Sequence, residues 1–263
     1  MVTITSSNYL PIYLKKAANS PAGGGLNTQS AAIWDLLLKH QQTNLGISGN
    51  IGEIGVWYGF ASGLSAVHLQ ADEELFLIDK YLRKQEVADN IAKTSGKKIE
   101  AINWIQADSI SVRKKEKLKD YFDSFRWFHV DGEHSYDGVM SDLELALQCV
   151  HQGGIIVVDD FFNISSASIT EAVFHFLDRY KHLVCMFCCG YNKAYLSSPK
   201  FLKHYRDAVY YNIIDILENL NVKVMLAQNG WSTEFDYISV VSRAQNYKLQ
   251  KIGQYCKDLE AFG

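Results

Sequence analysis

The chain has 263 residues, 48% of them hydrophobic, and 26 basic against 29 acidic side chains leave a formal net charge of -3. That is enough apolar material for a large core in one domain, and a slightly acidic pI near 6.2 argues against a nucleic-acid surface. No apolar run approaches the roughly 20 residues that span a bilayer, and the amino terminus lacks a basic start followed by an apolar core, so a cytoplasmic protein without a signal peptide or membrane partner is expected.

Five cysteines, Cys149, Cys185, Cys188, Cys189 and Cys256, are an odd number without a secretory signal and read as reduced thiols. A zinc site at Cys185-x-x-Cys188-Cys189 needs a second ligand pair, and none follows at zinc-site spacing. The run HLVCMFCCG reads instead as small hydrophobes on a buried strand.

In chain order, an apolar and aromatic stretch over 9–14 precedes a flexible break over 20–25, SPAGGG. This amino-terminal segment, 1–48, suits a lid over a site, a dimer arm or a tail. A helix is expected over 28–41, with Ile33, Leu36, Leu37 and His40 on one face. Residues 49–59, GNIGEIGVWYG, read as a strand breaking into a turn before a helix over 61–69. Strand, glycine turn and helix start make a place for an anion. Trp57 and Tyr58 fill the loop between Gly55 and Gly59, where a pyrophosphate-binding turn wants glycine. A smaller anionic group such as an amino-acid carboxylate suits it better, and Glu53 can take the matching ammonium; the other reading is a plain tight turn.

A strand over 74–78 ends in Asp79, a position that commonly holds ribose hydroxyls when it is not mere punctuation at a strand tip. A helix over 83–95 and a strand over 102–107 lead to Asp108. That acid can accept from an adenine amino group or cap a helix over 110–121. The basic residues Arg113, Lys114, Lys115, Lys117 and Lys119 are interleaved with acids on this helix and read as a solvated face.

Residues 125–163 are the centre of the chain. Strands over 125–130 and 154–158 flank a helix with Val139, Leu143, Leu147 and Val150 at helical spacing, closed by Gly153-Gly154. A strand–helix–strand unit of this length is a parallel crossover, which puts both carboxyl ends on one edge of the sheet. Asp131, Asp159 and Asp160 then converge at that edge, where open α/β sheets bind ligands, with Glu133 and His134 one step away. Beyond them come a capping box at Ser168 and Glu171, a hairpin over 183–197 turning at 190–192, a helix over 200–220, strands over 222–227 and 237–241, and a polar helical tail after Arg243.

These motifs together resemble the class I S-adenosylmethionine-dependent methyltransferases, and within them the metal-dependent macrocin-type sugar O-methyltransferases and their wider relatives. The resemblance rests on EIGVWYG at 53–59, LID at 77–79, HVDGEHSYDG at 129–138, GGIIVVDDFFN at 153–163 and GYNKAYLSS at 190–198. It covers residues 49–200 as a cofactor-binding core, with 201–263 as a carboxy-terminal helical and strand extension of the same single domain. It implies a doubly wound α/β fold: a mostly parallel seven-stranded sheet, helices on both faces and an antiparallel final strand.

The resemblance also implies site residues. Glu53 and Gly55, with Tyr58 and Gly59 of the same turn, would line the methionine end of S-adenosylmethionine, Asp79 the ribose, Asp108 the adenine side and Asp131 the cofactor's inner edge. Asp131, Asp159 and Asp160 match positions that hold Mg²⁺ or Mn²⁺, and His134 or Glu133 the base. Glu133 stands where the pattern often has Asp, and Phe60-Ala61 where small residues are common. Physically, three convergent carboxylates repel unless neutralised, and a hard dication relieves that. The implied activity is O-methylation of a hydroxylated small molecule (a sugar, a catechol or another natural product) by a homo-oligomer, a dimer. A metal-independent methyltransferase of the same fold, a nucleotide-binding oxidoreductase and a non-catalytic binding protein are the alternatives.

Overall fold

The computed structural model describes residues 3–17, 24–96, 99–100, 102–229 and 237–242. Its strands are β1 (Asn50–Ile54), β2 (Leu75–Asp79), β3 (Ile102–Gln106), β4 (Phe125–Val130), β5 (Val150–Asp159), β6 (Cys185–Gly190), β7 (Lys193–Ser197), β8 (Val224–Asn229) and β9 (Tyr237–Ser242). Its helices are α1 (Leu10–Ala17), α2 (Thr28–Thr43), α3 (Phe60–Val67), α4 (Lys84–Ser95), α5 (Ser109–Lys114), α6 (Tyr136–Cys149), α7 (Ala167–Arg179) and α8 (Pro199–Asn219). The strands form one sheet in the order β3-β2-β1-β4-β5-β7-β6-β9-β8. β1 to β5 are parallel to their neighbours within that run, and β7 is antiparallel to both β5 and β6. The fold is the doubly wound α/β class. The described sheet has nine strands rather than seven, because β9 pairs parallel with β6 and carries β8 beyond it.

Period-two alternation along the strands makes two cores. Leu75, Leu77, Trp127, Ile155 and Val157 face α1 to α4 and α8, whereas Phe76, Ile78, Phe128, Val130, Ile156 and Val158 face α6 and α7. α2 is apolar on almost every side: Ala31 through Leu38 are buried. Its start is set by Asn27, whose side chain accepts from Ser30 N at 2.8 Å. The amino-terminal segment lies on this layer, with Ile4 N donating to Asn212 Oδ1 and Ser7 N to Asp35 Oδ2.

Several local expectations yield to tertiary context. Gly153-Gly154 do not close α6, which ends at Cys149; β5 starts at once, and both glycines lie in the strand. A Cβ on Gly154 would come 2.8 Å from Phe125 O, so glycine is needed for strand approach. The helix expected over 110–121 ends at Lys114, and a short 3₁₀ turn covers Lys119–Tyr121. Ser168 caps nothing: α7 begins one residue earlier, and Ser168 Oγ donates to His134 O at 2.8 Å. The turn Tyr191-Asn192 has φ of 50° and 69°, the left-handed pair that suits a two-residue hairpin between β6 and β7. Cys188 and Cys189 are buried in β6, as small hydrophobes would be. The tail after Arg243, with Cys256, lies outside the described residues.

One buried ion pair braces the sheet. Arg126 is skipped by the register of β4 against both β1 and β5, a bulge that turns its side chain toward α2. It has no exposure, and its guanidinium meets Glu73 at 2.7 and 2.8 Å, His68 O at 2.7 Å and Gln41 Oε1 at 3.1 Å. Glu73→Ala strands that cation and is expected to cost about 3–5 kcal/mol in urea unfolding, while Glu73→Leu with Arg126→Met recovers much of it. A loss below about 1 kcal/mol for Glu73→Ala would show that the pair braces nothing.

Candidate active site

The carboxyl ends of β1, β2, β4 and β5 share one sheet edge, as the parallel registers require. There the chain leaves β1 at Gly55, with φ of 81°. A Cβ on Gly55 would sit 1.7 Å from Asp131 O, so no other residue lets the ends of β1 and β4 come together. Gly59, at φ 77°, opens α3 without a side-chain cap, which leaves the first-turn N–H groups free for an anion. Asp79 holds the turn between them: its Oδ2 accepts from Val56 N at 2.8 Å and Trp57 N at 3.2 Å, and its Oδ1 from Tyr81 N at 2.8 Å. Arg83 lies 5.6 Å from the Trp57 ring and 4.8 Å from the Tyr58 ring.

A cleft of about 570 Å³ opens at this edge, lined by Gly55, Trp57, Asp79, Asp108, Ser109, Asp131, Glu133 and His134 among others. Trp57 stands 59% exposed at its lip. A Cβ on Gly24 would meet the Trp57 ring at 2.9 Å, so the amino-terminal segment reaches that lip. Asp108 caps α5 by accepting from Ser111 N at 2.8 Å and still borders the cleft.

Glu53 is the penultimate residue of β1. It is 3% exposed and lies behind the turn, not on the cleft. One oxygen accepts from the Ser62 hydroxyl and the other is 3.3 Å from His129 Nδ1.

The acids form two overlapping groups. Buried His129, Asp131 and Asp159 make one, and Asp131, His134 and Asp160 the other, with one ligand atom from each residue of a group within 4.8 Å of the rest. Among the described residues, Asp131, Asp159 and Asp160 do not form such a group by themselves. The inner group is already charge-paired. Asp159 Oδ2 is 2.5 Å from Lys193 Nζ and 3.6 Å from His129 Nε2. Burial works against the charge on both partners, but the pairing wins: His129 is carried up to about 9, and Asp159 is held far below the usual carboxylate range.

The outer group is short of positive charge. Burial and the Asp159 charge push Asp131 up, against a partial offset from His134. His134 Nε2 lies 3.4 Å from Asp160 and 3.7 Å from Asp131, about half exposed, and Asp131 raises its pKa. Glu133 also lines the cleft, with its Cβ and Cγ close over Gly138 at the start of α6. Asp160 is fixed in the left-handed region at φ 56°, its Oδ1 accepting from Asn163 and Asn192. An under-neutralised pair of carboxylates beside a half-exposed imidazole fits a dication that keeps waters and substrate oxygens in its shell.

Family comparison follows from this geometry. A family profile described as "Methyltransferase domain" matches residues 53–161. Over that stretch the chain is similar to methyltransferase domains. No curated protein sequence matches the chain. Among solved structures, the O-methyltransferase NovP aligns at 14% identity and TM-score 0.57 over 72% of this chain and 98% of that one. TomG from Streptomyces achromogenes, an O-methyltransferase of tomaymycin synthesis solved with S-adenosylmethionine, aligns at 16% and 0.51 over 73% and 90%. The Bacillus cereus O-methyltransferase solved with S-adenosylhomocysteine aligns at 14% and 0.50 over 74% and 92%. At these identities the likeness is one of fold.

Sequence reasoning missed His129, Lys193 and Asp142. A lysine opening an apolar strand, KAYLS, and a histidine inside FRWFHV were the available signals. Asp142 on α6 is fully buried under the loop at Gly132, where an added Cβ would lie 2.4 Å from its Oδ2. Burial pushes it from the ordinary 3.8 up to about 7, and Ser109 and the Glu133 backbone offset that only in part. Between those values the folded chain binds a proton that the unfolded chain has released, so stability falls as pH rises through the window, by at most about 4 kcal/mol. Asp142→Asn is expected to raise the melting temperature at about pH 8 and to gain little at about pH 5. An equal effect at both pH values would remove Asp142 as the titrating group.

Proposed function

We propose that this methyltransferase domain methylates a hydroxyl group of a small molecule, with His134 as the base. The observation that carries the reading is one cleft bordered at one side by the glycine turn and Asp79 and at the other by Asp131 and His134. The turn at Gly55 to Gly59 and the start of α3 suit the cofactor's amino-acid end. Asp79 suits the ribose, and Asp108, beside Ser109, the adenine side. S-adenosylmethionine supplies a sulfonium methyl group, which becomes the acceptor's O-methyl as S-adenosylhomocysteine is released. His134 accepts the acceptor's hydroxyl proton on the imidazole nitrogen that faces Asp131 and Asp160. Those two carboxylates stabilise the resulting imidazolium.

Asp131 and Asp160 are also the residues that would hold Mg²⁺ or Mn²⁺, which as a Lewis acid lowers the pKa of a hydroxyl it binds. A sugar diol, a catechol or a related natural-product hydroxyl suits such a site. Glu133, which lines the same cleft, is the alternative base.

Calorimetry with S-adenosylhomocysteine is expected to show binding, and NAD none. Asp79→Ala should weaken that binding by about tenfold or more, through lost ribose contacts and a released turn. Affinity unchanged by Asp79→Ala would take Asp79 out of the site. In a turnover assay over hydroxylated acceptors, His134→Ala is expected to lower the rate about 10²–10⁴-fold with cofactor affinity preserved. If Glu133→Gln gives that loss and His134→Ala does not, the base is Glu133.

A further inference from the structure

Asp159 ends β5 one residue before Asp160, so by sequence it belongs with the acids of an ion site. The structure gives it other partners. Lys193, the register partner of Asp159 on β7, is 5% exposed and sets its ammonium 2.5 Å from Asp159 Oδ2. His129 approaches the same oxygen at 3.6 Å, and Oδ1 accepts from Asp160 N at 2.8 Å. Both oxygens are therefore engaged from inside the protein. A buried ammonium is costly without a paired carboxylate, so Lys193 does not readily release Asp159. Asp160 lies on the other side of the cluster, with Asp131 and His134.

We propose that Lys193 is a resident cation of this site: it positions Asp159, keeps it out of the ligand set of a divalent ion, and leaves that ion to Asp131 and Asp160 with reduced affinity. This rests on the reading of Asp131 and Asp160 given above. It assigns Asp159 a charge-pairing role and makes Lys193 a determinant of how tightly metal binds.

The test is Mn²⁺ binding to the whole chain, followed by calorimetry and electron paramagnetic resonance, with S-adenosylhomocysteine binding measured in parallel. Lys193→Gln removes the competing charge and frees Asp159, so Mn²⁺ affinity is expected to rise about tenfold or more over wild type. Lys193→Arg keeps the charge and should stay within about twofold. Lys193→Gln with Asp159→Asn leaves neither partner charged and should return to about the wild-type value, which assigns the gain to the freed carboxylate. Affinity in Lys193→Gln equal to or below wild type, absence of binding in both included, overturns the proposal. If Lys193→Gln does not fold, the double variant decides: wild-type-like affinity upholds the proposal, and a loss of about tenfold makes Asp159 a native ligand and overturns it. Failure to bind S-adenosylhomocysteine counts against the cofactor reading and leaves the metal comparison standing.

Discussion

Four charged side chains on four adjacent strands are the constraint around which the site is arranged. Glu53 on β1 opposes His129 on β4, and Asp159 on β5 opposes Lys193 on β7. His129 reaches diagonally to Asp159, so the row alternates in sign from one strand to the next. Glu53, His129 and Lys193 are buried, and Asp159 is largely so. Each is tolerable only because its neighbours carry the opposite charge. The row also packs: the Trp34 ring of α2 stands edge-on to His129 at 4.8 Å, and Ser62 of α3 donates to Glu53. The helices above the sheet and the strands within it are thereby held in one register.

This row governs the chemistry by what it leaves over. Glu53 and Asp159 are matched by His129 and Lys193, and Asp131 and Asp160 are not matched except by His134. Of these two, Asp131 lines the cleft beside His134. Unscreened negative charge at the mouth of a cleft attracts a cation, and it raises the proton affinity of an adjacent imidazole. Under the proposed function, the same arrangement serves both a base at His134 and a dication at the two acids, without committing the buried charges to either.

The glycine-turn side of the cleft is built by a different device. A turn that enters with Gly55 and leaves at Gly59 must be held open without filling it. Asp79 does so from the next strand by accepting two backbone N–H groups of the turn. Trp57, at φ 49°, is kept in a left-handed conformation by that grip and by the close packing of Gly55 on Asp131. The carboxylate that shapes the turn thus also borders the cleft.

Much of the fold was legible in the sequence because its causes are local. The apolar runs at Phe125–Val130 and Lys193–Ser197 are bounded by turn residues, and their limits in the structure are those that alternation and turn chemistry predict. The crossover between β4 and β5 required parallel strands, and parallel strands put Asp131, Asp159 and Asp160 on one edge. Where tertiary contact competes with local preference, local reading failed. Gly153 and Gly154 look like a helix stop but serve strand packing, Ser168 looks like a cap but reaches His134, and the helix after Asp108 stops early. The extra pair β8 and β9 widened the sheet, which no local pattern announces.

The charge partners were decided by tertiary structure alone. Glu53 and His129 are 76 residues apart, and Arg126 and Glu73 are 53 apart. Nothing in the spacing of a buried glutamate, histidine or lysine states which opposite charge it will meet. That depends on strand order and on which side chains share a face. Residue types and the sheet edge came from the sequence; the division of the acids into a charge-paired set and one short of positive charge came from placing β7, with its lysine, beside β5.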